Sequence, residues 1–274
     1  MLLKGDAAAL EWRIKAFLAQ DETAIAELND PSKDIHSENA EAFKLPNRTV
    51  SKQFLYRMIF ADAFGEKGFK GPAFAYINDP NFSPTSKKAE FWEGVIERFF
   101  TKYEGIHRHS VGIIREAAET GRVISPSGRE YPYTQYTRWD GTPQWPNTQI
   151  LNHIVQGFSA DIMILVRQHL FENWNPDWGL LINTVHDDCE SDVQNDYGTI
   201  CAASCLMEQS FKESNRLCRK WYGVDLNVPM QGEVKLGMTL HEDSMLKFRD
   251  KKNNIQEQLI KEELNRVCQL RQSQ

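Results

Sequence analysis

The chain has 274 residues and a formal net charge of −6, long enough for one large domain or two subdomains with a real core. A mean hydropathy of −0.53, with no apolar run near the roughly 18 residues that a membrane span needs, describes a soluble protein. The opening Met1-Leu2-Leu3-Lys4-Gly5-Asp6 turns acidic too soon for a signal peptide, and the acidic balance counts against a nucleic-acid partner, although local basic clusters can override it.

Apolar Met1-Leu2-Leu3 leads into Asp6, so the chain is expected to open with a buried strand that delivers a carboxylate at its end. Leu10, Ile14, Phe17, Leu18, Ile25 and Leu28 recur at helical spacing and predict a helix over 9–28, which Asn29-Asp30-Pro31-Ser32 ends. A second helix starts near Asn47, a good N-cap, and runs through Phe60 towards Gly65. Arg48, Lys52, Tyr56 and Phe60 step by four along it, each turned about 40° from the last, so two cations and two aromatics share one face. Such a face suits a nucleoside triphosphate: cations near the helix N-terminus meet the phosphates, and the aromatics beyond cover base and sugar. A partly buried helix with snorkelling cations would show the same pattern.

Residues 66–88 are rich in Gly, Pro, Asn and Ser and predict an irregular loop. Helical spacing returns over 90–103 and 110–118, a hairpin is expected over 121–131, and a long amphipathic helix over Leu151 to Phe171. Leu180 to Val185 reads as a buried strand running into His186-Asp187-Asp188. Asp6 and Asp187-Asp188 are thus expected at strand ends, rigidly held and able to converge. Adjacent desolvated carboxylates repel one another and divalent cations compensate them, so the two motifs together suggest a two-metal phosphoryl-transfer site. Taken singly, Asp6 reads equally as an N-cap, Glu11 as a solvated helix residue, His36 as a loop residue and Gln156 as a polar position on a helix. His107 and His109 have no acidic or cysteine partners beside them and read as surface residues. The cysteines Cys189, Cys201, Cys205, Cys218 and Cys268 are odd in number and lack paired metal-ligand spacing, which points to reduced thiols and a cytoplasmic protein.

Several of these segments, in this order, resemble the C-terminal polymerase portion of the family A DNA polymerases, the group of bacterial DNA polymerase I and its bacteriophage relatives. Asp6-Ala7-Ala8-Ala9-Leu10-Glu11-Trp12-Arg13 is similar to the family's first catalytic motif, and Asp34-Ile35-His36-Ser37 to its Asp-Ile-His-Thr segment. The Arg48/Lys52/Tyr56 helix is similar to the nucleotide-binding fingers helix. Asn152 with Val155-Gln156-Gly157 and Ala160-Asp161 resembles the helix that meets primer-template. Val185-His186-Asp187-Asp188 resembles the second catalytic motif, and Val228-Pro229 with Val234-Lys235-Leu236-Gly237 the closing strand.

The resemblance covers residues 2 to 240 and implies a mixed α+β fold: a palm whose antiparallel sheet carries the acids, with a mostly helical fingers subdomain inserted between the two catalytic motifs. Palm is expected over 1–33 and 121–240, fingers over 34–120, and a helical extension over 241–274. It implies that Asp6 and Asp187, with the carbonyl of Ala7, hold two Mg²⁺ ions, and that Arg48, Lys52 and His36 contact the triphosphate of a deoxynucleoside triphosphate. Tyr56 packs on the sugar, and Glu11 closes the space of a ribose 2′-hydroxyl. Asn152, Gln156 and His186 touch primer-template DNA through the minor groove, where acceptors are nearly sequence-independent, and Phe60 stacks near the template base.

The chain departs from the family in carrying Asp188 where Glu is usual, shorter by one methylene, and Phe60-Ala61 where Tyr-Gly is usual. Five residues precede Asp6, against several hundred in a complete polymerase, so a separate polypeptide is expected to supply the thumb and the remaining palm, as in a split polymerase of a bacteriophage in its host's cytoplasm. A palm cut there is expected to have an unpaired edge. Ile255, Leu259, Ile260, Leu264, Val267 and Leu270 make an apolar stripe in the extension that could dock on a partner, form a coiled coil, or pack back on the palm. The competing reading is a non-catalytic module that binds primer-template or a partner and scaffolds a replication complex; a reverse transcriptase-like template choice is a third.

Overall fold

The computed structural model describes residues 1–60, 89–250 and 253–272, so the loop expected over 66–88 and the helix end at Gly65 lie outside the described residues. In chain order the elements are β1 (Leu2–Ala7), α1 (Leu10–Ala19), α2 (Glu22–Asn29), α3 (Ile35–Ala42), α4 (Arg48–Phe60), α5 (Ala89–Lys102) and α6 (Glu104–Thr120). There follow β2 (Arg122–Ile124), β3 (Glu130–Pro132), β4 (Tyr136–Thr137), β5 (Pro143–Gln144), α7 (Asn147–Asn173), β6 (Gly179–Asn183), β7 (Asp188–Val193), α8 (Tyr197–Tyr222), β8 (Gly232–Gly237), β9 (Leu246–Lys247) and α9 (Glu257–Gln272). They form two compact units. The first comprises Met1–Leu10, Ala160–Asp225 and Met230–Gln274, and the second Glu11–Ser159 and Leu226–Pro229.

The first unit is built on a five-stranded sheet in the order β6-β7-β1-β8-β9, antiparallel throughout. Side chains of β1 alternate in burial along the strand, as a sheet with one covered face requires. On the covered face Gly5 meets Met207 and Phe211 of α8. Gly232 of β8 is sterically required: a Cβ there would lie 2.0 Å from Cδ2 of Phe211.

No helix was expected over 197–222, yet α8 is among the longest elements. Its caps are legible: Asp196 accepts from the Thr199 N–H, and Gly223 at φ 68° ends it. Its buried face mixes Ile200, Met207, Phe211 and Leu217 with Ser204, Ser210 and Ser214.

Leu180 to Val185 is not the buried strand its composition predicts. β6 is an edge of the sheet, paired to β7 alone, and Leu180 is 69% exposed. The expectation about membrane length also needs correction: α7 is long and apolar enough by length and composition to cross a bilayer, but most of that stretch is buried within the protein. Ile150, Ile154, Phe158, Ile162 and Val166 are core residues.

The extension packs back on its own unit. β9 pairs with β8 through Leu246 opposite Leu236, Arg249 forms an ion pair with Glu208 of α8, and Asn253 donates to the same carboxylate at 3.1 Å. Ile260 and Val267 of α9 are fully buried, and α9 lies against α8.

The second unit is helical around an aromatic core. Trp12, Phe43, Phe54, Phe99 and Tyr103 meet edge to face with ring centroids 5.1–6.2 Å apart, the arrangement that ring quadrupoles favour. The Tyr103 hydroxyl donates to Glu27 at 2.7 Å, which Lys102 also pairs at 2.8 Å. The single helix expected over 9–28 is two, because Gln20 takes φ 46° and Asp21 begins α2 by accepting from the Ala24 N–H. Two small hairpins, β2–β3 and β4–β5, precede α7.

Candidate active site

Three carboxylates converge at one end of the sheet. β1 and β7 are registered so that Asp6 lies opposite Asp188. The turn joining β6 to β7 brings Asp187 to the same place: the Asp188 N–H donates to the Val185 carbonyl at 2.8 Å, and the Ala7 N–H donates to the Asp187 carbonyl at 3.2 Å. One carboxylate oxygen from each of Asp6, Asp187 and Asp188 lies within 4.8 Å of the others. Asp188 is buried, and Asp6 and Asp187 are half-buried. Burial above all, then the charges of Asp187 and Asp188, push the Asp6 carboxyl up to about 7. Clustered hard oxygen donors whose anionic forms repel one another suit Mg²⁺.

Two residues that the sequence reading passed over support this cluster. Lys4 Nζ lies 2.7 Å from Oδ2 of Asp188, and that hydrogen bond raises the Lys4 ammonium above its ordinary value. Lys4 stands two residues before Asp6, hence on the same strand face, which was a usable signal. Arg167 of α7 donates to the His186 carbonyl at 2.7 Å and so holds the turn in which exposed His186 takes φ 52°. Nothing in the local sequence marks Arg167.

The second unit gathers the cationic group. Asn47 Oδ1 accepts from the Val50 N–H at 2.9 Å and starts α4 as expected. Asp34 caps α3 through the His36 N–H, which puts His36 on a helix and not in a loop. Arg48 Nε donates to Asp34 Oδ2 at 2.7 Å. Burial first, then the charges of Arg48 and Lys52, hold the His36 imidazolium down to about 4, so its ring is neutral at pH 7. His36 Nδ1 is buried with no hydrogen-bond partner. Lys52 is exposed, its Nζ 5.9 Å from the centroid of the Tyr56 ring.

Glu11 is half-buried on α1. Asn152 and Gln156 are one turn apart on α7; Gln156 is exposed, and Asn152 Oδ1 is buried without a partner. Phe60 closes α4, but its side chain lies outside the described residues. His109 is not a plain surface residue: it is half-buried, and burial with the nearby charge of Lys15 depresses it to about 3. Among the described residues the acidic cluster is the sole group of three or more candidate metal-binding side chains.

The sequence profile of DNA polymerase family A matches residues 1–242, which leaves β9 and α9 beyond the match. No curated protein matches the chain. Among solved structures the chain is similar to the POL domain of Pol1 from M. smegmatis in complex with DNA primer-template and dNTP, with a TM-score of 0.64 and 19% identity. That likeness covers 85% of this chain and 38% of the other, so the chain spans well under half the length of the polymerase it matches. Because the profile matches residues 1–242, well over half of the chain, the chain belongs to DNA polymerase family A.

Proposed function

We propose that the chain is the catalytic portion of a DNA-directed DNA polymerase, a nucleotidyltransferase that adds deoxynucleotides to a primer 3′ end on a DNA template. The observation that carries this reading is the convergence of Asp6, Asp187 and Asp188 within 4.8 Å, at the registered ends of β1 and β7, in a family A chain. Asp6, Asp187 and the Ala7 carbonyl are the residues that hold Mg²⁺. Two such ions, when bound, supply acidification of the primer hydroxyl and neutralisation of departing pyrophosphate. The protein's own contribution is then positioning and charge.

Arg48 and Lys52 bind the triphosphate, and neutral His36 donates a ring N–H to it without adding a further buried charge. Tyr56 packs against the sugar. Glu11 occupies the space of a 2′-hydroxyl and selects deoxynucleotides. Asn152, Gln156 and His186 contact primer-template DNA, with Phe60 near the template base. The palm comprises 1–33 and 121–240, the fingers 34–120, and 241–274 is an addition to the palm. A separate polypeptide, as in a split bacteriophage polymerase, supplies the thumb and the remaining palm. The five free cysteines favour a cytoplasmic setting.

Mg²⁺-dependent primer extension tests the reading, comparing the chain with Asp187→Ala, alone and with a candidate N-terminal polypeptide. Extension lost in the variant is expected. Folded protein that extends no primer under either condition refutes the catalytic assignment.

A further inference from the structure

We propose that Lys4 is a positioning residue: it takes up one oxygen of Asp188, so that Asp188 acts as a neutralised carboxylate and Asp6 and Asp187 alone supply the anionic ligands for a divalent cation. The inference rests on the metal-dependent reading above and concerns how tightly this site takes its ion.

Strand geometry forces the juxtaposition. Lys4 and Asp6 are two apart on β1 and so project to the same face, away from the face on which Gly5 meets Phe211. Across β7, Lys4 is opposite Glu190 and Asp6 is opposite Asp188. Across β8, Lys4 is opposite Lys235 and Asp6 is opposite Glu233. The charge of Lys235 also acts on Asp6, while the Lys4 ammonium reaches diagonally to Asp188 Oδ2 at 2.7 Å. Diagonal neighbours on a sheet face lie within reach of a long side chain.

Both partners are shielded from water, with side chains 16% and 12% exposed, so the charge is weakly screened where it acts. A lysine ammonium is a compact point charge with three donors, and here it competes with a cation for Oδ2 of Asp188. The short Asp188 side chain, drawn to Lys4, then sets the cluster's charge without joining the ligand set. With the Lys4 ammonium beside Asp188 the cluster attracts a divalent ion less than it would without it, and this lowered attraction is the device proposed.

Mn²⁺ binding to the full chain in the absence of DNA, followed by electron paramagnetic resonance of the free ion, tests the proposal with a readout independent of turnover. Lys4→Met is expected to tighten Mn²⁺ binding by about tenfold or more, because it removes a nearby weakly screened positive charge, while Lys4→Arg stays near the parent. The paired change Lys4→Met with Asp188→Asn restores the parent charge without either partner. It is expected to bind Mn²⁺ within about threefold of the parent, whereas Asp187→Asn loses about tenfold or more because it removes a ligand and a charge together.

Lys4→Met binding unchanged in folded protein overturns the proposal. So does a paired variant that falls as far as Asp187→Asn, which would make Asp188 a ligand. The paired variant keeps the question open to refutation if Lys4→Met alone fails to fold. A parent chain that binds no Mn²⁺ overturns the metal-dependent reading itself and is thereby distinguished from failure of the Lys4 assignment.

Discussion

Substituting Gly232 tests how the sheet that carries the acids is held. Gly232 pairs with Ala7 across β1 and β8, immediately beside Asp6, and its missing side chain makes room for Phe211. A Cβ at this position would stand 2.0 Å from Cδ2 and 2.3 Å from Cε2 of that ring, whereas carbon atoms rest at roughly 3.5–4.0 Å. The ring is 2% exposed and stands 3.6 Å from where a Cβ of Gly5 in β1 would lie, so it cannot withdraw without disturbing the strand that carries Asp6. Overpacking of this kind costs roughly 1–3 kcal/mol, and the depth of the clash places Gly232→Ala near about 3 kcal/mol. Urea unfolding at pH 7 measures it.

Phe211→Leu, which shortens the obstructing side chain, should lose about 1–2 kcal/mol alone but offset part of the clash when combined with Gly232→Ala. A coupling of about 1–2 kcal/mol between the two changes is expected. Gly232→Ala within about 0.5 kcal/mol of the parent, or strict additivity with Phe211→Leu, refutes the packing described here.

Other perturbations carry a defined sign. Lys15 is 1% exposed, donates to Ser110 Oγ at 3.0 Å, and is held down by burial to about 8 against an ordinary 10.5. The unfolded chain therefore binds more protons between these values, and parent stability should rise by about 3 kcal/mol from pH 8 to 10.5. Denaturant titration should show Lys15→Met without that rise and more stable than the parent at pH 7. Asp34 is held down to about 2, chiefly by the hydrogen bond from Arg48, so its stabilisation is present above pH 4 and disappears as pH falls towards 2. Because the group is largely exposed, Asp34→Asn, which keeps the helix cap, should lose only about 0.5 kcal/mol at pH 6 and nothing near pH 2 in thermal melts. Gly157→Ala puts a Cβ 1.6 Å from the Tyr131 hydroxyl; it should cost about 2–3 kcal/mol by urea unfolding, with partial recovery in Tyr131→Phe.

What could be read locally was read correctly where a few adjacent residues decide the outcome. Asn47 starts α4 because its own side chain meets an N–H three residues on. Arg48, Lys52 and Tyr56 share a face because helical pitch alone puts them there. The strand leading into Asp6 follows from a short apolar run that ends in an acid. The family resemblance, resting on the order of such segments, needed no tertiary information either.

Tertiary structure decided the rest, because it turns on partners far apart in the chain. Leu180 to Val185 looks like an interior strand by composition, and only the strand order puts β6 at an edge. The tail's stripe left partner, coiled coil and fold-back open until α9 met α8 with Ile260 and Val267 buried. The pairing of Lys4 with Asp188 joins residues 184 positions apart, and no local pattern can contain it. Sequence alone determines which chemical groups the chain can offer and the short elements that present them; the register of β1 against β7 brings Asp6, Asp187 and Asp188 within reach of one ion, since long-range backbone pairing sets which distant side chains become neighbours.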